Sequence, residues 1–203
     1  FESLGYSVKT TNTFIKIERT NLVNKSVNLN LRFASVGATI NLVMAALGRS
    51  GDTVISNIAK EPEVSNLIAY LSERTNRISL GNDFVKVYGL SEENIKEDLN
   101  DVSWPVMPDR VEAVSYIILG ALSSGCEINN ISGLDLTGVE NVLKAMGITY
   151  NFNKEKLIVN PSKHSLRTIQ IKTGIFPNLN TDYQPLVTMA LLFANGESTI
   201  IDE

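Results

Sequence analysis

Apolar residues along the chain fall into helix-like and strand-like rhythms, and the order in which these rhythms return is itself repeated. Three stretches run from an apolar helix-like segment through a small or polar corner into a short strand-like segment: Gly37 to Asn57, Val111 to Asn130, and Asp182 to Asp202. Their corner glycines, Gly51, Gly125 and Gly196, follow one another at nearly equal steps. A fixed spacing of this kind marks a repeated structural unit. Between these stretches lies a second recurring half. Val64, Leu67, Ile68 and Leu71, and then Leu136, Val139, Val142, Leu143 and Met146, follow the three-to-four spacing of amphipathic helices over Glu63 to Leu71 and Leu136 to Met146. Each is followed by a strand-like run, Asp83 to Val87 and Lys156 to Val159, while alternating Val27, Leu29 and Leu31 predict a strand before the first helix. The pattern predicts an α/β fold with helices starting near Thr39, Val64, Val111, Leu136 and Asp182.

The first residues, Phe1 to Val8, repeat the helix end at Leu143 to Thr149, and Gly5 lies before Gly147 by twice the step from Gly125 to Gly196. The chain is therefore expected to start inside one repeat and stop inside another, as part of a longer polypeptide. Its 203 residues, 43% hydrophobic and 20% charged, suit a soluble protein with a sizeable core. No apolar run approaches the length of a membrane span, so no membrane partner is expected and the cytoplasm is the default location. A net charge of −4, with scattered Lys and Arg, argues against a nucleic-acid surface. The single cysteine, Cys126, excludes an internal disulfide framework or a multi-cysteine zinc site, and reads as a small core residue. His164 reads as a surface histidine.

The candidate chemistry lies at the helix starts. Ala34-Ser35-Val36-Gly37-Ala38-Thr39 follows a strand-like run and offers free backbone N–H groups at a helix N-terminus, where phosphate or carboxylate is favoured. A Ser N-cap followed by a glycine for close packing explains the same residues. The second start carries Asp109 and Arg110, the third Asp182, and capping alone accounts for either aspartate. Gly37, Val111 and Asp182 each precede their corner glycine by the same interval. Packing about an axis would bring these starts together as a site for hydroxyl deprotonation beside a phosphorylated substrate.

Four segments, Ser35-Val36-Gly37-Ala38-Thr39, Glu61-Pro62-Glu63, Pro108-Asp109-Arg110-Val111-Glu112 and Thr181-Asp182-Tyr183-Gln184-Pro185, carry a resemblance over the whole chain. They resemble the signature segments of the UDP-N-acetylglucosamine 1-carboxyvinyltransferase family of enolpyruvyl transferases. The resemblance implies repeated βαβαββ units forming an inside-out α/β barrel in two domains, with helices inside, sheets outside and the active site between them. Residues 1–104 would be the C-terminal part of the first domain and residues 105–203 the early repeats of the second. It further implies transfer of the enolpyruvyl group of phosphoenolpyruvate to the 3-hydroxyl of UDP-N-acetylglucosamine in peptidoglycan synthesis, without metal or organic cofactor.

Residue by residue, the resemblance implies Asp182 as the base that takes the sugar hydroxyl proton. Phe33, Ala34, Ser35, Val36 and Gly37 would form the turn that contacts the nucleotide, largely through backbone, and Asp109, Arg110, Glu61 and Glu63 would line the cleft. Lys60 stands where the family usually carries Arg, Ile40 where Glu is frequent, and Phe33 where some members carry Lys. The family's mobile loop and basic phosphate-binding residues are expected in other segments of the same polypeptide, so this chain alone is expected to be inactive and to bind the sugar nucleotide weakly. Two alternatives stay open: a non-catalytic binding or regulatory relative on the same scaffold, and an RNA 3'-terminal phosphate cyclase on related repeats, whose expected catalytic His has no counterpart here.

Overall fold

The first strand-like run, Tyr6–Thr10 (β1), turns back on Ile15–Arg19 (β2) as an antiparallel hairpin. The computed structural model describes residues 1–20, 25–90, 100–153 and 155–202. Its contacts divide the chain into one unit spanning Phe1–Trp104 and a second spanning Pro105–Glu203. In the first unit the hairpin is followed by strand β3 (Val27–Asn30), helix α1 (Val36–Leu47), strand β4 (Thr53–Ser56), helix α2 (Pro62–Thr75) and strands β5 (Ile78–Leu80) and β6 (Phe84–Val87). That order is one βαβαββ unit. β3 runs parallel to β4 because α1 carries the chain back across the sheet, whereas β5 and β6 pair antiparallel through a tight turn, giving the order β3-β4-β6-β5.

The second unit repeats this plan from its first helix: α3 (Arg110–Leu122), β7 (Cys126–Asn129), α4 (Glu140–Met146), β8 (Tyr150–Phe152) and β9 (Lys156–Val159). Its sheet runs β7-β9-β8, matching β4-β6-β5 in order and direction. The register matches as well: Thr53, Val87 and Ile78 form one cross-strand row, and Cys126, Val159 and Tyr150 form its counterpart. A third repeat then opens with β10 (Gln170–Lys172), α5 (Gln184–Leu191) and β11 (Thr199–Ile201), where β10 and β11 are parallel as β3 and β4 are.

Helix ends recur still more regularly than the glycine corners. Gly5, Asn76 and Gly147, evenly spaced along the chain, are left-handed C-caps with φ of 86°, 51° and 90°. Glycine or asparagine tolerates that conformation and lets the chain leave the helix for a strand. The residue before each cap, Leu4, Thr75 or Met146, is buried. One helix departs from the sequence pattern: the amphipathic spacing starts at Leu136, yet α4 begins at Glu140. Gly138 holds a φ of 90°, and its backbone lies so close to the carbonyl of Asn178 that a Cβ would fall 2.4 Å from that oxygen. Leu136 and Val139 still reach the core, but from a turn.

Each unit has its own core. In the first, Val43, Ala46, Val64 and Ile68 from the helices cover Ile55, Val85 and Val87 of the sheet. In the second, Val114, Ile117, Ile118 and Leu143 meet Leu157, Val159, Tyr183 and Val187. The other sheet face is turned out, with Leu80, Phe84, Phe152 and Ile158 exposed. Trp104 folds back on α2, donating its indole N–H to Asn66 at 3.3 Å and meeting Tyr70 edge-on. Between β4 and β6, the Gly89 N–H donates to Asp52 at 3.1 Å and Lys86 pairs with the same carboxylate, which together hold its pKa below the usual carboxylate value. A carboxyl with a depressed folded pKa stabilises the fold above its unfolded pKa and loses that contribution as pH falls through the folded one. Asp52→Asn should therefore lower the melting temperature at neutral pH and have no such effect in strong acid, as thermal melts across pH would register.

Candidate functional site

In the first unit the α1 start is built by Ser35, whose Oγ accepts from the Ala38 N–H at 3.3 Å, so the predicted N-cap is present. The N–H groups of Val36 and Gly37 have no protein partner among the described residues. Ala34 and Val36 are half-buried beside them, and Phe33 is 64% exposed. Close packing does not explain Gly37, because a Cβ built there meets nothing within 4 Å among the described residues. The turn thus presents bare backbone at the positive end of a 12-residue helix.

A hydroxyl that the sequence pattern did not single out, that of Thr39, ties this turn to the Glu61 segment. It is fully buried, donates to the Ser35 carbonyl at 2.8 Å and accepts from the Ala59 N–H at 3.0 Å. Just beyond, Lys60 pairs with Asp83 at 3.1 Å across an exposed surface. Glu61 is 3% exposed at the N-terminus of α2, makes no side-chain cap bond, and has its Oε2 shut off from solvent without a hydrogen-bond partner among the described residues. A carboxylate oxygen kept in that state costs stability unless a ligand completes it. Glu63 stands half-buried one residue beyond Pro62, in the first turn of the same helix.

In the second unit the two aspartates part company. Asp109 is a true N-cap, with Oδ1 accepting from the N–H groups of Val111 at 2.8 Å and Glu112 at 3.1 Å. Asp182 is not. It sits in the short 3-10 turn Thr181–Tyr183, whose cap is Asn180: the Asn180 side chain accepts from the Asp182 N–H at 3.0 Å. The Asp182 carboxylate is exposed and has no protein partner among the described residues. Capping, which sufficed for both aspartates in the sequence, accounts only for Asp109.

Arg110 is buried, with its guanidinium over the rings of Tyr183 at 5.4 Å and Phe176 at 5.8 Å, and its Nη1 donates to the Tyr183 hydroxyl at 3.4 Å. Arg110 and Tyr183 thereby join the α3 start to the Asp182 turn within the second unit. Neither aromatic partner was evident beforehand; the only sequence signal is that Tyr183 adjoins Asp182. The Cys126 thiol donates to the Tyr116 carbonyl at 3.3 Å and its pKa is raised by burial, which suits a core residue and not a nucleophile. Among the described residues no cluster of three or more His, Cys, Asp or Glu could hold a metal ion, and no helix is long and apolar enough to cross a membrane.

This geometry can be set beside known proteins. The sequence profile described as EPSP synthase (3-phosphoshikimate 1-carboxyvinyltransferase) matches residues 1–203. A UDP-N-acetylglucosamine 1-carboxyvinyltransferase of Lactobacillus acidophilus is 34% identical over 205 residues, covering 100% of this chain and 46% of its own length. A protein of Bacillus cereus named UDP-N-acetylglucosamine 1-carboxyvinyltransferase 2 is 33% identical, with 100% and 46% coverage. The chain thus spans about half the length of the curated relatives it matches. Among solved structures, the enolpyruvyl transferase NikO from Streptomyces tendae aligns with a TM-score of 0.83 at 17% identity, covering 98% of this chain and 49% of that one. EPSP synthase from Acinetobacter baumannii aligns with a TM-score of 0.64 at 17% identity, covering 97% and 45%. These likenesses establish the repeated α/β fold of the enolpyruvyl transferases.

Proposed function

The chain belongs to the EPSP synthase family, and from that premise we propose that it supplies part of a UDP-N-acetylglucosamine 1-carboxyvinyltransferase acting in cytoplasmic peptidoglycan synthesis. The substrates are UDP-N-acetylglucosamine and phosphoenolpyruvate. The sugar 3-hydroxyl oxygen adds to C2 of phosphoenolpyruvate as its proton leaves and a proton joins C3, and loss of phosphate from C2 together with a proton from C3 restores the double bond. On this reading residues 1–104 are the later part of the first domain and residues 105–203 the early repeats of the second.

The observation that carries the proposal is the Asp182 carboxylate, left without a protein partner among the described residues on a turn that Asn180 already caps. A carboxylate without a protein partner, held on a capped turn, is suited to take a hydroxyl proton. Arg110 serves that arrangement from behind, by fixing Tyr183. Phe33 to Gly37 offer the sugar nucleotide bare N–H groups, Glu61 offers an oxygen in need of a donor, Glu63 stands in the first turn of α2 in the same unit, and Asp109 caps α3 in the unit of Asp182. A non-catalytic role on the same scaffold has no comparable observation in its favour.

Phosphate release from phosphoenolpyruvate, measured on the whole protein carrying this chain, tests the activity: release that requires UDP-N-acetylglucosamine supports it, and substrate-independent or absent release overturns it. Gly37→Ala tests the nucleotide turn. Filling open space on a helix should raise stability by about 0.5–1 kcal/mol, while a methyl group placed over the bare N–H groups should weaken sugar-nucleotide binding. Calorimetry and a thermal melt on the same variant would read both, and unchanged affinity would remove Gly37 from the site.

A further inference from the structure

A cleft away from the Asp182 turn lies wholly within the second unit. Where the C-terminus of α4 meets the chain leaving β9, a cleft of about 640 Å³ opens between Met146, Gly147 and the segment Asn160–Arg167. Its polar lining includes Lys163, His164 and Arg167 beside Thr149, Asn160 and Ser165, without an Asp or Glu among the described residues, in a chain whose net charge is −4. Ser162 donates its backbone N–H to the Ala121 carbonyl at 2.8 Å, yet its hydroxyl is shut off from solvent with no hydrogen-bond partner among the described residues.

The plainest account of the cations is that they answer the negative end of α4. Arg167 does so: its Nη2 donates to the Lys144 carbonyl at 2.7 Å and its backbone N–H to the Met146 carbonyl at 2.9 Å. The Leu143 carbonyl is taken by the Ile148 N–H at 3.0 Å. The helix end is therefore satisfied without Lys163 or His164, neither of which has a hydrogen-bond or ion-pair partner among the described residues. The Lys163 and His164 side chains and the Arg167 guanidinium then line one cleft, with no Asp or Glu among its described lining residues.

We propose that this cleft binds the phosphoryl group of a small anionic ligand. A tetrahedral dianion presents several acceptor oxygens at once, which suits a wall made of donors on more than one side. The site is separate from the Asp182 turn and stands whether or not Asp182 acts as a base. The ligand is either inorganic phosphate or a phosphate monoester.

Sodium phosphate and, in a second arm, glycerol phosphate should be titrated into the isotopically labelled chain at constant ionic strength set with chloride, following backbone amide signals. Saturable shifts confined to Gly147 and residues 160–168 are expected. Equal affinity in the two arms would assign the free anion, and tighter binding of the ester a phosphorylated metabolite; both support the site. The double variant Lys163→Gln, His164→Gln changes two exposed side chains without protein partners and so should keep the folded spectrum, while weakening binding by about 10-fold or more through loss of charge-assisted hydrogen bonds. Shifts that grow without saturating, that fall elsewhere in the chain, or that persist unchanged in the double variant would overturn the proposal.

Discussion

Asp182→Asn is expected to slow phosphate release by roughly 10²–10⁴ in the whole protein while leaving its melting temperature where it was, the usual worth of a positioned general base. The amide keeps the shape of the carboxylate but cannot take a proton from the sugar hydroxyl. Stability should be unmoved because the carboxylate makes no bond among the described residues: Asn180 caps the turn, and the side chain of Asp182 is exposed. Substrate affinity should change far less than turnover, since the amide still reaches the hydroxyl. Near-normal release by the variant would deprive the proposed mechanism of its base. A lowered melting temperature with normal release would instead return Asp182 to a structural role, against the geometry of the turn.

The repeat was legible because it is written in several independent signals at one period. Strand alternation, helix spacing and the residues that end helices all return at nearly the same interval, and the structure gives the two sheets one order and one register. Element starts were less legible where a long-range contact overrules spacing. Leu136 and Val139 keep the helical rhythm, but Gly138 is pressed against the Asn178 carbonyl, and that neighbour arrives only after β10, in the next repeat. The same limit explains the site. Aspartates at two helix starts look alike in sequence, and only the placement of Asn180 shows that one is a cap and the other free. The Thr39 hydroxyl depends on Ala59, and Arg110 on the rings of Tyr183 and Phe176, partners that other elements of the fold bring in. No local pattern announces such contacts.

The largest loss of stability should follow from Leu143→Ala. Leu143 is fully buried in the second unit, in the same apolar cluster as Tyr183, and it lies in a helix of only seven residues whose place depends on that packing. Removing its isobutyl group forfeits transfer free energy and leaves a cavity, together worth about 2–5 kcal/mol. Leu119 on α3 is 58% exposed, so Leu119→Ala should change stability by no more than about 0.5 kcal/mol. Denaturant unfolding of both variants would make the comparison. The effect on catalysis should differ in kind from that of Asp182→Asn: activity lost through a weakened core follows the folded fraction and returns on moderate cooling, whereas activity lost with the base does not. Similar small effects for Leu143→Ala and Leu119→Ala would mean that α4 is not held by this core, and the account given of the second unit would fail with it.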